Sequence, residues 1–470
     1  MFAFLIRFTV FNYYLGKNNN YWQVDSSTYH KIACGLLSGN GFSTSDNNNI
    51  YKQNFYRLPG YPVFLASIYK LFNINIRDTK TVLWAQVILA SFIPILIFIL
   101  SLILFPNYFL AAKLASLYSC VHLGLVLYSG FFMSESLFIF LFLIFLILFF
   151  RTVSCDCHPE LVSGSRNIRN HNKNIFISGL FLGFAGLVRP VGHYLLFLSI
   201  ILIILNNFNF KNYKLNIKNN FKKALYLILG FIIIVSPWLV RNYIYQGKSF
   251  FHTLPGGHFL NFAAARSAML EQNCDYNKAK VYLQNKIKIL AQEQKDKLNR
   301  DLNEIEYCDL QLNLAIQYFK KYPLITIKNF LIDIFRTSFS LYSSEILYLE
   351  NNRNNIDYFS NKRTVFSLVK RYLVPETKNI DLKLLIYFEI ILNLFIWLGV
   401  LGACVIPSLT VVAFGEDWCK DPGSLFSPFA FILLFLVIGL AGGYARMRLP
   451  AEPLLIILAF NFYSKKHANF

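Results

Sequence analysis

Charge is what this chain has least of. Only 15% of its 470 residues are Asp, Glu, Lys or Arg, while 55% are hydrophobic. A soluble protein of this size cannot hide so much apolar surface, which excludes a soluble globular class. The alternation of apolar and polar residues expected of a membrane β-strand is missing too, which argues against a β-barrel. Cysteine is scattered, eight in all. Cys155 and Cys157 spell C-x-C-H with His158, a group too isolated for a zinc site. The amino terminus, "MFAFLIRFTVFNYYLGK", has no signal-peptide cleavage pattern and is short for a span. Present instead are long apolar runs such as "LWAQVILASFIPILIFILSLILF" (83–105) and "SLFIFLFLIFLILFF" (136–150). About 20 apolar residues cross the hydrocarbon core of a bilayer. The chain therefore reads as an all-α polytopic membrane protein of about ten spans. They fall near 2–16, 83–104, 109–130, 136–150, 175–188, 190–205, 224–240, 384–406, 425–442 and 449–463.

Acids are the scarcer charge, 25 against 45 Lys and Arg, a formal net charge of +20. In a soluble protein that balance suggests nucleic acid. In a membrane protein it suggests basic loops held on the cytoplasmic side. Loop 206–223 carries Lys211, Lys214, Lys218, Lys222 and Lys223, and loop 151–174 carries Arg151, Arg166, Arg169 and Lys173. Both belong inside. The chain between them must then go out and return, with Arg189-Pro190 as the outer turn of a tight helical pair. With the amino terminus inside, residues 17–82, the turn near 131–135 and the segment 241–383 lie outside. The expected organisation is a transmembrane catalytic module over 1–240 that includes the first outer loop 17–82. An extracytoplasmic domain over 241–383 follows, then C-terminal transmembrane helices over 384–470. Within 241–383, the stretch 277–323 reads as amphipathic helices, and Cys274 and Cys308 are candidates for a disulfide. Segments 155–170 and 411–424 read as insertions.

On this topology the unusual charges gather at the outer ends of helices: Asp25, Arg57, Glu135, Arg189, Arg241, Arg446 and Arg448. Basic residues at outer ends run against the positive-inside rule, and charges near a bilayer usually have partners or ligands. Arginine's planar fork of donors suits phosphate oxygens, and a neighbouring carboxylate suits proton transfer from a hydroxyl. Together they suggest transfer of a group from a lipid-linked phosphate donor. Each residue also has a plain structural account. Asp25 precedes "SSTYHKIACGLL" and could cap that helix, Arg189 could cap a carboxyl end, and Arg241 could snorkel to headgroups.

"WQVDSSTYHKIACGLLSGNGFS" followed by "YRLPGYPVFLASIYKLF" resembles the first outer loop of GT-C superfamily glycosyltransferases, nearest to bacterial family 39. That branch includes protein O-mannosyltransferases and the lipid A aminoarabinose transferase. The matching positions are Asp25, Tyr29, Gly41-Phe42, Arg57, Pro59 and Tyr61-Pro62. "FFMSESLFIFL" resembles the segment that places an acid at the second outer loop, here Glu135. "AGLVRPVGHYLL" resembles the Arg-Pro turn. "SPWLVRNYIYQGKSFFHTLPGGHFLNF" resembles the start of the large outer loop, with Arg241, Gly256, Gly257 and His258. "ARMRLPAEPLLIIL" resembles the Arg-x-Arg-x-Pro-x-Glu-Pro element, with Arg446 and Arg448. The resemblance runs in order along most of the chain. It implies a GT-C-like bundle in a bacterial inner membrane, with its site facing the periplasm. The implied activity moves a sugar from a polyprenyl-phosphate donor to an envelope glycolipid, such as lipopolysaccharide, or to a protein hydroxyl, with inversion. Asp25 would be the base and Glu135 its support. Arg57, Arg189, Arg241, Arg446 and Arg448 would bind the donor phosphate. Tyr29, Tyr61, Gly256, Gly257 and His258 would bind substrate. A divalent metal ion is left open as a cofactor. One departure is Ser26, which stands where eukaryotic mannosyltransferases carry a second acid.

Three other classes compete: a flippase or transporter of lipid-linked glycans, a ligase or polymerase of such glycans, and an inactive structural membrane protein. A transporter would place its charges near the bilayer midplane on broken helices, whereas here they sit at one outer face.

Overall fold

The computed structural model describes residues 1–45, 50–153, 167–205, 217–350, 377–414, 422–438 and 443–468. Among them, helix dominates. The one sheet among the described residues is a short antiparallel ribbon, Ser43–Ser45 against Tyr51–Gln53, with Ser43 opposite Gln53.

Four helical stretches are long and apolar enough to cross a membrane: Thr79–Leu104, Glu135–Val153, Asn219–Gln246 and Ile380–Ala403. A fifth span is the pair Phe109–Val121 and Leu123–Gly130, bent by 48° at His122. Phe2–Leu15, Asn172–Val188, Val191–Leu205 and Ser427–Ile438 are shorter apolar helices, and Glu452–Ala468 closes the chain. Each of the ten spans read from the sequence falls on one of these. Apolar side chains in the bilayer gain nothing from hiding, so burial marks the helices that pack against protein. By that measure Glu135–Val153 is central: 72% of its apolar window is buried, against 33% for Ile380–Ala403. Its Phe138, Phe142, Phe145 and Phe149 form a ladder whose rings meet Phe431 and Phe435 of the Pro422–Ile438 helix.

The Asn167–Val188 and Val191–Leu205 helices form the tight pair expected around Arg189-Pro190. Arg189 N donates to Ala185 O, and Gly192 N donates to Arg189 O. A side chain at Gly192 would meet the Gly186 backbone at 2.3 Å, so only glycine lets the two helices close this near the turn.

Two amphipathic helices, Tyr276–Leu298 and Glu304–Lys321, lie within segment 241–383. Asp275 caps the first, and Asn303 with Glu306 forms a capping box on the second. Leu260, Ala268, Leu283, Ile287, Leu314 and Tyr318 give this region a hydrophobic cluster of its own. The disulfide expected there is absent: Cys274 and Cys308 are not joined. Cys308 lies instead against Gly256. Most of the two insertion-like segments, and Cys155, Cys157 and His158, lie outside the described residues.

Candidate active site at converging helix ends

Asp25 occupies the N-cap position of the Ser26–Leu37 helix, yet its side chain caps nothing. The carboxylate turns to two arginines. Asp25 Oδ1 accepts from Arg57 Nη2 at 2.5 Å, and Oδ2 accepts from Arg446 Nη2 at 2.9 Å. Arg446 also donates through Nε to Glu135, and Arg189 is ion-paired with the same Glu135 oxygen. Five charges from five separate chain segments thus form one continuous cluster. Glu135 is the first residue of its helix and fully buried, whereas the side chains of Asp25 and Arg446 are 18% and 24% exposed. Burial pushes the Asp25 carboxyl up, but Arg446 and then Arg57 outweigh it and hold the group at about 2.

The neighbours explain why these segments meet. Ser26, the residue that stands in place of a second acid, buries its hydroxyl and donates to Phe132 O at 2.8 Å. Phe132 N donates in turn to Tyr21 O. These two bonds tie the loop bearing Asp25 to the turn bearing Glu135. Gln86, buried in the Thr79–Ser91 helix, donates to the carbonyls of Tyr128, Ser129 and Phe131 and accepts from Tyr61 at 2.9 Å. The Tyr61 ring stands edge-on to Tyr29, and the Arg57 guanidinium lies 5.0 Å from the Tyr29 ring centre. Sequence reading passed over Gln86 because an isolated amide in an apolar helix shows no periodicity. Its only signal is its cost: an amide there needs partners.

Gly443 turns the chain back toward Arg446. It has φ +63, and an added side chain would meet Arg336 Cβ at 3.0 Å. Both its conformation and its space favour glycine.

Two expected phosphate ligands are placed elsewhere. Arg241 donates to Asn54 O, Phe42 O, Gln53 Oε1 and Asn242 Oδ1, with aromatic rings of Phe55, Trp238 and Tyr245 around it. It fastens the β-ribbon, because a guanidinium half-sunk among rings takes the nearest carbonyls as acceptors. Arg448 is buried and pairs with Glu452 at 2.6 Å while donating to the carbonyls of Thr337, Ser338 and Ser340. Its Nε and Nη1 donors are taken by the protein. Gly256 packs against the Glu304–Lys321 helix at Cys308, Gly257 faces Gln311, and the His258 ring meets Phe262 at 5.0 Å. The cluster therefore gathers Asp25, Arg57, Glu135, Arg189 and Arg446, with Tyr29 against Arg57 and Tyr61 behind it.

Among the described residues, no three His, Cys, Asp or Glu side chains converge as metal ligands. The carboxylates of Asp25 and Glu135 share a guanidinium as their common cation.

No family model matches the chain, and no curated protein matches it in sequence. Solved structures do match in fold. An Archaeoglobus fulgidus oligosaccharyltransferase, captured with a tethered acceptor peptide, aligns over 99% of this chain with a TM-score of 0.56 and 10% identity. The archaeal oligosaccharyltransferase AglB of Archaeoglobus fulgidus, with an inhibitory peptide and a dolichol-phosphate, aligns over 99% with a TM-score of 0.53 and 12% identity. The chain spans about half the length of these proteins, 49% and 50%. The ArnT structure from Cupriavidus metallidurans bound to undecaprenyl phosphate also aligns, at 12% identity over 99% of this chain and 77% of its own; its TM-score of 0.36 carries no argument. In architecture, then, the chain shares the fold of these oligosaccharyltransferase structures.

Proposed function

We propose that this protein is a membrane glycosyltransferase of bacterial envelope assembly. It takes a sugar from a polyprenyl-phosphate donor at the periplasmic face of the inner membrane. The acceptor is a glycolipid or protein hydroxyl. The carrying observation is the cluster itself: three arginines and two carboxylates, drawn from helix ends far apart in sequence, at one place.

The chemistry follows from those groups. The acceptor oxygen attacks the anomeric carbon on the face opposite the phosphate. The new C–O bond forms as the bond from that carbon to the phosphate oxygen breaks, and the electron pair leaves with the phosphate. Configuration inverts. The proton of the acceptor hydroxyl passes to Asp25. Arg57, Arg189 and Arg446 hold the charge that grows on the leaving phosphate. Tyr29 and Tyr61 set the position of Arg57, and Gly256, Gly257 and His258 of the outer segment belong to the acceptor side.

Asp25→Asn tests this reading. Transfer falls by about 10²–10⁴-fold, because Asn keeps the size and removes the basicity. Undecaprenyl phosphate still binds, as measured on purified protein. A variant with near-normal transfer would remove Asp25 from the chemistry.

A further inference from the structure

The acid that should take a proton is fully engaged. Asp25 offers one oxygen to Arg57 and the other to Arg446. Glu135 Oε1 faces Arg189 and Arg446, and of the cluster's four carboxylate oxygens Glu135 Oε2 alone is buried with no hydrogen-bond donor among the described residues. A carboxylate clamped by two guanidiniums is a poor base, since its lone pairs are already donated and its charge already balanced. Reaction therefore requires that one clamp open.

The geometry says which one. Arg57 is held by ring faces, with Tyr29 at 5.0 Å and Tyr56 at 4.9 Å. Arg189 sits on the tight helical turn and has the buried Glu135 as its partner. Arg446 has the most exposed side chain of the three arginines, at 24% against 15% and 13%, and rides on the single helical turn Ala445–Arg448. It alone touches both acids. The cluster's charges, three positive and two negative, leave one positive charge over. A phosphodiester monoanion brings that sum to zero, and its oxygens suit the same N–H fork that Asp25 now occupies.

We propose that Arg446 is a donor-triggered latch: it bridges Asp25 and Glu135 until the phosphate of a lipid donor takes its guanidinium, and only then is Asp25 free to accept a proton. This rests on the glycosyl-transfer reading above. The latch makes the order of events obligatory. Donor phosphate comes first, base activation second, and an acceptor hydroxyl or water arriving early meets an acid that cannot deprotonate it.

Competition between Asp25 and phosphate for one guanidinium has a reciprocal signature. The probe is undecaprenyl phosphate alone, titrated against the full-length protein in detergent. Asp25→Asn, which removes the competitor, binds it about tenfold tighter than wild type. The comparison variant is Glu345→Gln. Glu345 lies within the electrostatic reach of Arg446 but is held by Tyr128 at 2.9 Å rather than by an arginine. Its loss changes the field without freeing Arg446, and binding moves by less than about threefold. Unchanged or weaker binding by Asp25→Asn overturns the latch, and so does equal tightening by both variants. Absence of binding in wild type and both variants overturns the glycosyl-transfer reading and the latch with it. Infrared difference spectra of wild type carrying carbon-13 aspartate carboxyls give a second readout without substitution. Adding the lipid phosphate shifts one carboxylate stretch as Asp25 loses Arg446. A silent spectrum with the lipid bound overturns the latch alone.

Discussion

Arg446 and Arg448 stand two residues apart on one helical turn and live in opposite worlds. Arg448 sits in a closed node. Glu452 pairs with it, and the same carboxylate accepts from Tyr342 at 2.9 Å and faces His122 at 3.5 Å. Glu389 accepts from the backbone of Tyr342 and Ser343 beside it. The Arg448 guanidinium also donates to three carbonyls at the end of the Pro323–Phe339 helix. Arg446 has carboxylates instead of carbonyls, and partial exposure instead of burial. The contrast separates two uses of a cation near a bilayer. A guanidinium bound to backbone carbonyls has nothing to exchange, because a carbonyl that loses its donor inside protein has no substitute. A guanidinium bound to carboxylates beside solvent can change partners with an arriving anion.

The contrast breaks first in stability. Arg448→Met leaves Glu452 and three carbonyls uncompensated, and costs about 3–5 kcal/mol, the usual penalty for removing one member of a buried pair. Thermal unfolding in detergent shows it as a large drop in Tm, with transfer lost only because the protein is lost. Arg446→Lys sharpens the other side. The charge remains and the two-carboxylate bridge goes, so transfer falls by about tenfold or more, roughly 1.4 kcal/mol at the site, while Tm moves little. An Arg446→Lys protein as unstable as Arg448→Met would erase the distinction. A third effect is in pH. His252, in segment 241–383, has its imidazole pushed down to about 4 by burial, from an ordinary 6.5. Between those values the unfolded chain binds a proton that the folded chain refuses, so stability declines as pH falls from about 6.5 to about 4. Melting curves across that window should flatten in His252→Gln.

Much of the architecture was readable because membrane helices announce themselves by length and apolarity. The sequence-derived spans and the helical hairpin at Arg189-Pro190 needed only hydropathy and the sidedness of Lys and Arg. The position of charges at helix ends was equally plain. What could not be read was the partner of each charge. Arg241 and Arg446 look alike in sequence, yet one fastens a ribbon and the other joins two acids. Partner choice depends on which carbonyls and carboxylates the fold brings within 3 Å or so of each guanidinium, and no local pattern encodes that. Arg7 is a further case: it lies buried in the first apolar helix, donating to Ala3 O, Ser119 O and Cys120 O. The cap reading of Asp25 failed for the same reason, since long-range arginines outcompeted the local backbone for its oxygens.

The cluster also sets a schedule for the ribosome. Asp25, Arg57, Glu135 and Arg189 emerge early, and Arg446 emerges near the end, after the outer segment and two further spans. Until then two acids and two arginines have no bridge between their pairs. Joining them waits for Arg446, so a chain stopped before that residue has neither the bridge nor the surplus positive charge that an anionic lipid would answer.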